Sequence, residues 1–172
     1  MVATHYYSLE SQPFMNILSA SETVRCALIE QLAHNKNKVC NRFRNAKWYI
    51  QERSKLENWM YEEFIRIGGK PRVRHPQYLV LGKSDYLESC YGEDCGYITV
   101  DLNDISPMEV SFTICDSLAM FVTEDIDNKL YKKEEIIAYM QENTITPEKI
   151  DEQRKYIEVQ IWNDSEKSFV RT

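Results

Sequence analysis

Tyr156-Ile157-Glu158-Val159-Gln160-Ile161-Trp162 alternates apolar and polar residues one by one. Successive side chains on a strand point to opposite faces, so Ile157, Val159 and Ile161 share one face and Glu158 and Gln160 the other. The same texture recurs upstream. From Tyr97 to Leu102, Ile98, Val100 and Leu102 oppose Thr99 and Asp101, and from Glu109 to Cys115, Val110, Phe112 and Ile114 oppose Ser111 and Thr113. Tyr78-Leu79-Val80-Leu81 is a shorter apolar run bounded by Pro76 and Gly82. Strict alternation implies one buried and one wetter face, the habit of antiparallel sheets.

Upstream of the strands the period lengthens. Val39, Phe43, Ala46 and Ile50 step by four, three and four residues, and Leu56, Met60 and Phe64 continue the stripe. This spacing predicts an amphipathic helix reaching residue 67, stopped by Gly68-Gly69 and kept from resuming by Pro71. Its apolar face is expected against the sheet, with Phe43, Ile50, Met60 and Phe64 on Val110, Phe112, Ile114, Val159 and Ile161. Ser19-Ala20-Ser21-Glu22 matches a capping box and predicts an earlier helix carrying Val24, Ala27, Leu28 and Leu32. The polar pentad His34-Asn35-Lys36-Asn37-Lys38 is either a solvated turn or a link between two helices. Lys133 to Glu142 reads as a helix with Ile136, Ile137 and Met140 inward, and Thr146-Pro147 opens a shorter one.

These elements predict an α+β fold: an antiparallel sheet of about four strands on a long N-terminal helix or helix pair, with one or two short helices before the last strand. A single domain over residues 1–172 is expected. It divides into an irregular arm at 1–18, a helical part at 19–67 and a sheet with short helices at 72–172.

Composition narrows the class. With 43% hydrophobic and 12% aromatic residues the chain is too apolar for disorder. No apolar run approaches the ~20 residues that span a bilayer, and the first residues lack a secretory pattern, so a soluble cytoplasmic protein is expected. The five cysteines read as reduced thiols, and the Cys90/Cys95 spacing lacks a second ligand pair for zinc; no cofactor or metal is expected.

Charge is divided along the chain. Residues 25–74 hold twelve Lys or Arg against five Asp or Glu, whereas residues 75–172 hold nine against twenty. Such asymmetry bears on partners and long-range fields. The acidic half favours a non-enzymatic protein that binds another protein through Asp101, Asp104, Glu109 and Glu158, carboxylates able to meet an Arg- and Lys-rich surface. The alternative is direct nucleic-acid binding by a basic belt of Lys36, Lys38, Arg42, Arg44, Lys47, Arg53 and Lys55, with Trp48 and Tyr49 available to stack on bases. A pI near 5.2 counts against a general nucleic-acid binder. A third reading is a small enzyme centred on His75, Cys115 and Asp116, since a base beside a thiol and a carboxylate is the pattern of nucleophilic catalysis.

Glu62-Glu63-Phe64-Ile65-Arg66-Ile67-Gly68-Gly69-Lys70 with Pro71-Arg72-Val73-Arg74-His75-Pro76-Gln77-Tyr78-Leu79-Val80-Leu81-Gly82-Lys83-Ser84, then Val110-Ser111-Phe112-Thr113-Ile114-Cys115-Asp116-Ser117 and Tyr156 to Trp162, carry a resemblance. Over about residues 45–162 the chain resembles a group of small proteins of Gram-positive bacteria and their mobile elements, to which no activity is attached. The resemblance implies origin and single-domain character. With a mobile-element origin, the acidic half suits an inhibitor or modulator of a host nucleic-acid-handling or defence complex.

Overall fold

The computed structural model describes residues 1–123 and 129–164. Five antiparallel strands form one sheet in the order β3-β1-β2-β5-β4, with β1 at Val2–Ser8, β2 at Gln77–Leu81, β3 at Cys95–Asp101, β4 at Val110–Ile114 and β5 at Ile157–Ile161. The α+β reading and its antiparallel sheet hold. The arm expected to be irregular supplies β1, which pairs with β3 from Val2↔Asp101 to Ser8↔Cys95 and with β2 at Thr4↔Val80. Thr4, His5 and Tyr6 are all buried, so β1 lacks the alternation that marks the other strands.

Helix α1 spans Glu22–His34 and α2 spans Ala46–Arg66. The N-cap of α1 is Ser21, not Ser19: its hydroxyl accepts from the Val24 N–H at 3.5 Å. The polar pentad is a link, fastened by Asn35 and Asn37, whose side chains both donate to Asp94. A tight 3-10 turn, Val39–Asn45, then leads into α2. Short helices follow: α3 at Asp85–Tyr91, capped by Ser84, α4 at Ser117–Val122, capped by Asp116, α5 at Lys133–Glu142 and α6 at Pro147–Asp151.

The sheet has cover on both faces. Leu79, Val110, Phe112, Ile157, Val159 and Ile161 cluster with Ile136 of α5 and Ile150 of α6. The opposite face carries Tyr78, Ser111, Thr113, Glu158 and Gln160, and α2 lies on that side. Leu56, Met60 and Phe64 of α2 form a second cluster with Leu118, Leu130 and Trp162. The expected pairing of Met60 and Phe64 with Phe112 and Val159 is therefore wrong by one strand face. Trp162, one residue beyond β5, points to the α2 side, where its ring stacks on Phe64 at 5.5 Å. The helix layer thus covers the face that alternation assigned to water.

Candidate functional site

A polar layer between sheet and helix follows directly from that placement. The register sets Ser111 opposite Gln160 and Thr113 opposite Glu158 on one side of β5, and Tyr78 opposite Gln160 and Val80 opposite Glu158 on the other. Gln160 is fully buried; its Oε1 accepts from Ser111 Oγ at 2.8 Å, and its Nε2 donates to Thr113 Oγ1 and Glu158 Oε1, both at 3.0 Å. Trp162 Nε1 donates to Ser111 Oγ at 2.8 Å, and Ser117 Oγ to Glu158 Oε1 at 2.5 Å. Among the described residues, every buried side-chain nitrogen and oxygen has a hydrogen-bond partner. In a low-dielectric interior that is the condition for such a network to be tolerated.

Helix α2 supplies the other wall. Glu57 is 0% exposed and collects four donors: Asn16 Nδ2 at 3.0 Å, Arg53 Nε at 2.9 Å, the Tyr78 hydroxyl at 3.0 Å and His75 Nδ1 at 2.6 Å. Burial works to raise its pKa, but the bonds from His75, Arg53 and Asn16 hold the carboxyl below the usual range. The Arg53 guanidinium also lies over the Tyr78 ring, 3.7 Å from its centroid. From the 3-10 turn, half-buried Arg42 donates through Nε to Val39 O at 2.8 Å and lies 5.5 Å from the Tyr49 ring centroid. Among the described residues, no carboxylate comes within ion-pair distance of Arg42.

Between these walls are two adjoining cavities. The smaller, about 110 Å³, is bounded by Thr4, Val80, Arg42, Arg53, Asp116 and Glu158, with tyrosines between them. The larger, about 210 Å³, reaches the arm and Leu28 and Leu32 of α1. Arg42, Arg53, Tyr6, Tyr78 and Tyr91 border both. Asp116 caps α4 through Ala119 N at 2.9 Å and accepts from the Tyr156 hydroxyl at 3.0 Å. Burial opposes its ionisation, yet Arg42 and the Ala119 amide hold its pKa low. Burial first, and the Asp116 charge second, push Glu158 up to about 7. One wall therefore pairs an ionised carboxylate with a carboxyl that exchanges its proton near neutrality, the kind of contrast that marks functional sites.

Several residues singled out from sequence lie elsewhere than expected. Glu158, at 6% exposure, and Glu109, at 8%, are not surface carboxylates. Both faces of β5 are covered, and Glu109 is held by Arg72 and Asn163. Asp101 and Asp104 are exposed. In the basic belt, Arg53 is 8% exposed because it shares the inward stripe of α2 with Tyr49, Leu56 and Met60, and Arg42 turns into the cleft. Lys36, Lys38, Arg44, Lys47 and Lys55 are exposed, as is Trp48 at 46%, whereas Tyr49 is buried on the inward stripe of α2 and is not free to stack on bases.

The three residues of the enzyme reading are not joined by any hydrogen bond or ion pair. His75 binds Glu57, Asp116 binds Tyr156, and Cys115, left-handed at φ 74°, bonds through its backbone N–H to Tyr156 O. Burial raises the Cys115 thiol pKa, which lowers its thiolate fraction. Cys90 and Cys95 are free thiols. Among the described residues no three His, Cys, Asp or Glu side chains are grouped to hold a metal ion, and no helix is long and apolar enough to cross a membrane. Sequence reading missed the tyrosines. Their only signal was abundance, eleven in the chain.

Titration gives a test of the buried carboxyl. In an unfolded chain Glu158 titrates near 4.5 and His5 near 6.5, whereas in the fold Glu158 is pushed up to about 7 and burial pulls His5 down to about 4. The folded state thus holds the Glu158 proton more tightly, and stability is lost as pH rises from about 4.5 through 7. His5 acts oppositely, costing stability as pH falls from 6.5 to 4. Comparison with a variant separates the two. The stability of Glu158→Gln relative to the native protein should increase from pH 5 to 7.5 and then level off. Urea midpoints across that range check this, and a pH-independent difference would contradict the assignment.

Comparison of the chain with protein-family models, curated proteins and solved structures finds no match.

Proposed function

We propose that this protein binds a small polar molecule in the cleft between α2 and the polar face of the sheet. The observation that supports it is the cost of the arrangement. Two arginines and two carboxyls border one half-open cleft, and among the described residues Arg42 has no carboxylate within ion-pair distance. Withdrawing charged groups from water costs stability unless they are paired and hydrogen-bonded. Features that break the packing rules in this way concentrate at functional sites. Donors and acceptors held in a concave site are what a small ligand needs for orientation.

A ligand-observed NMR screen of polar fragments tests the reading. Fragments should bind the native protein and lose binding in Val80→Leu, which adds a methylene to the wall of the smaller cavity. Stability should hold or rise by about 1 kcal/mol, since the added group fills empty space. No binding, or binding indifferent to Val80→Leu, would count against the cleft.

A second reading keeps a macromolecular partner. It is supported by the exposed group Lys36, Lys38, Arg44, Lys47 and Trp48 near the 3-10 turn, and by exposed Asp101 and Asp104 at the far end of β3. In this reading the cations meet nucleic acid, or the carboxylates meet a basic protein such as a nucleic-acid-handling complex. Salt separates the two from cleft binding: oligonucleotide affinity that falls steeply with ionic strength belongs to the cationic surface.

A further inference from the structure

Six aromatic rings line the larger cavity, Tyr6, Tyr7, Phe43, Tyr49, Tyr78 and Tyr91, alongside aliphatic side chains such as Met15, Ile17, Leu28 and Leu32. Five of these rings carry contacts that hold them in place. The Tyr6 hydroxyl accepts from Ser84 N at 2.9 Å, the Tyr91 hydroxyl donates to Tyr6 O at 3.2 Å, and the Tyr78 hydroxyl donates to Glu57. Phe43 meets Tyr49 edge-on at 5.1 Å. Planar guanidinium groups border the same space, Arg53 lying over Tyr78 and Arg42 beside Tyr49. Flat walls anchored at their edges are pre-organised for a flat guest and need little ordering when it enters.

Size and edge chemistry narrow the guest. A volume of about 210 Å³ gives room for a ring system. Arg42, which borders both cavities, offers N–H donors, and in the adjoining smaller cavity Asp116 and Glu158 offer acceptors. An anion would meet Arg42 and Arg53 but also the ionised Asp116. A plain hydrocarbon ring would cover polar groups without bonding them, at the cost of their desolvation. A sugar would meet the polar edge but forgo stacking. A ring carrying both N–H groups and acceptors satisfies edge and walls together, as arginine and carboxylate side chains do with base edges and aromatic rings do with base faces.

Resting on the cleft-binding reading, we infer that the ligand is a planar nitrogen heterocycle of nucleobase size. Its ring lies among the anchored tyrosines, and its polar edge faces Arg42, Asp116 and Glu158. Stacking and edge recognition are divided between different residues, so they respond to different substitutions.

Saturation-transfer NMR with cytosine, adenine and hypoxanthine, beside phenol, benzoate and inositol as controls of similar size, tests the assignment. At least one base should bind saturably and more tightly than every control. Tyr91→Leu should weaken that base at least tenfold, while Tyr91→Phe, which keeps the ring, should retain it. At pH 9, where the Glu158 carboxyl is ionised and offers only acceptors, Glu158→Gln should change the order of preference among the three bases, because an amide offers one acceptor and one donor; a merely structural role leaves that order unchanged. Controls that bind as tightly as the bases, or bases that ignore both Tyr91→Leu and Glu158→Gln, would overturn the ligand class. Non-aromatic fragments that bind and are lost in Val80→Leu, with no base binding, would remove the heterocycle and leave the cleft standing. Absence of any cleft binding would remove both.

Discussion

Arg53→Ala should destabilise the fold by about 3–5 kcal/mol, the usual cost of stripping one partner from a buried charge pair. Glu57 has no exposure and would keep its charge with only Asn16, Tyr78 and His75 as donors. The same change removes the guanidinium from the Tyr78 face. Guanidinium unfolding, with circular dichroism and tryptophan fluorescence as independent probes, measures the effect. A further Glu57→Leu change should recover part of the loss by removing the orphaned charge. Recovery stays incomplete, because the Asn16 amide and the Tyr78 hydroxyl then lose their acceptor. A cost below about 1 kcal/mol for Arg53→Ala would mean that water reaches Glu57 and that the layer is not dry.

Phe64→Ala should cost a similar ~3–5 kcal/mol, by a different route. The ring is fully buried, stacks on Trp162, and sits so close to the turn after α2 that a Cβ on Gly69 would lie 2.5 Å from it. Deleting it leaves a void that neither the Trp162 indole nor the Gly68-Gly69 turn can fill without moving. For a chain of this size the melting temperature should drop by roughly 10 °C or more. Trp162 fluorescence should shift to the red as water approaches the indole. Unchanged emission alongside the lower stability would show that the cavity collapses instead.

Much of the architecture is legible in the residues. The alternations at β3, β4 and β5, the stripe of α2 and its stop at Gly68-Gly69, and the Thr146-Pro147 start of α6 all appear as read. What alternation does not carry is which face meets water. Glu158 and Gln160 look like solvent residues, because a polar side chain on a strand normally is one. Only register places Ser111, Thr113 and Tyr78 beside them as partners, and only α2 covers the result. Likewise Arg53 reads as one more cation in a basic run until the helix phase turns it inward with Leu56 and Met60. The candidate site was hidden because each member, taken alone, has an ordinary surface composition. His75 and Asp116 were noticed, but their partners, Glu57 and Tyr156, lie 18 and 40 residues away.

The position of β1 bears on how the chain reaches this state. It lies between β3 and β2, and in the sheet order β3 touches no other strand. The Thr4 hydroxyl meets the Gly82 carbonyl across 78 residues, so docking β1 closes a long loop before many contacts repay the lost chain entropy. Until that closure β3 has no place in the sheet, and the polar layer lacks Thr4 and Tyr6. Helix α2, built from near neighbours, forms fast; the sheet that seals its buried charges assembles late. Refolding should therefore pass through a collapsed stage in which Arg53 and Glu57 have already met while the tyrosine-lined space is still open to water.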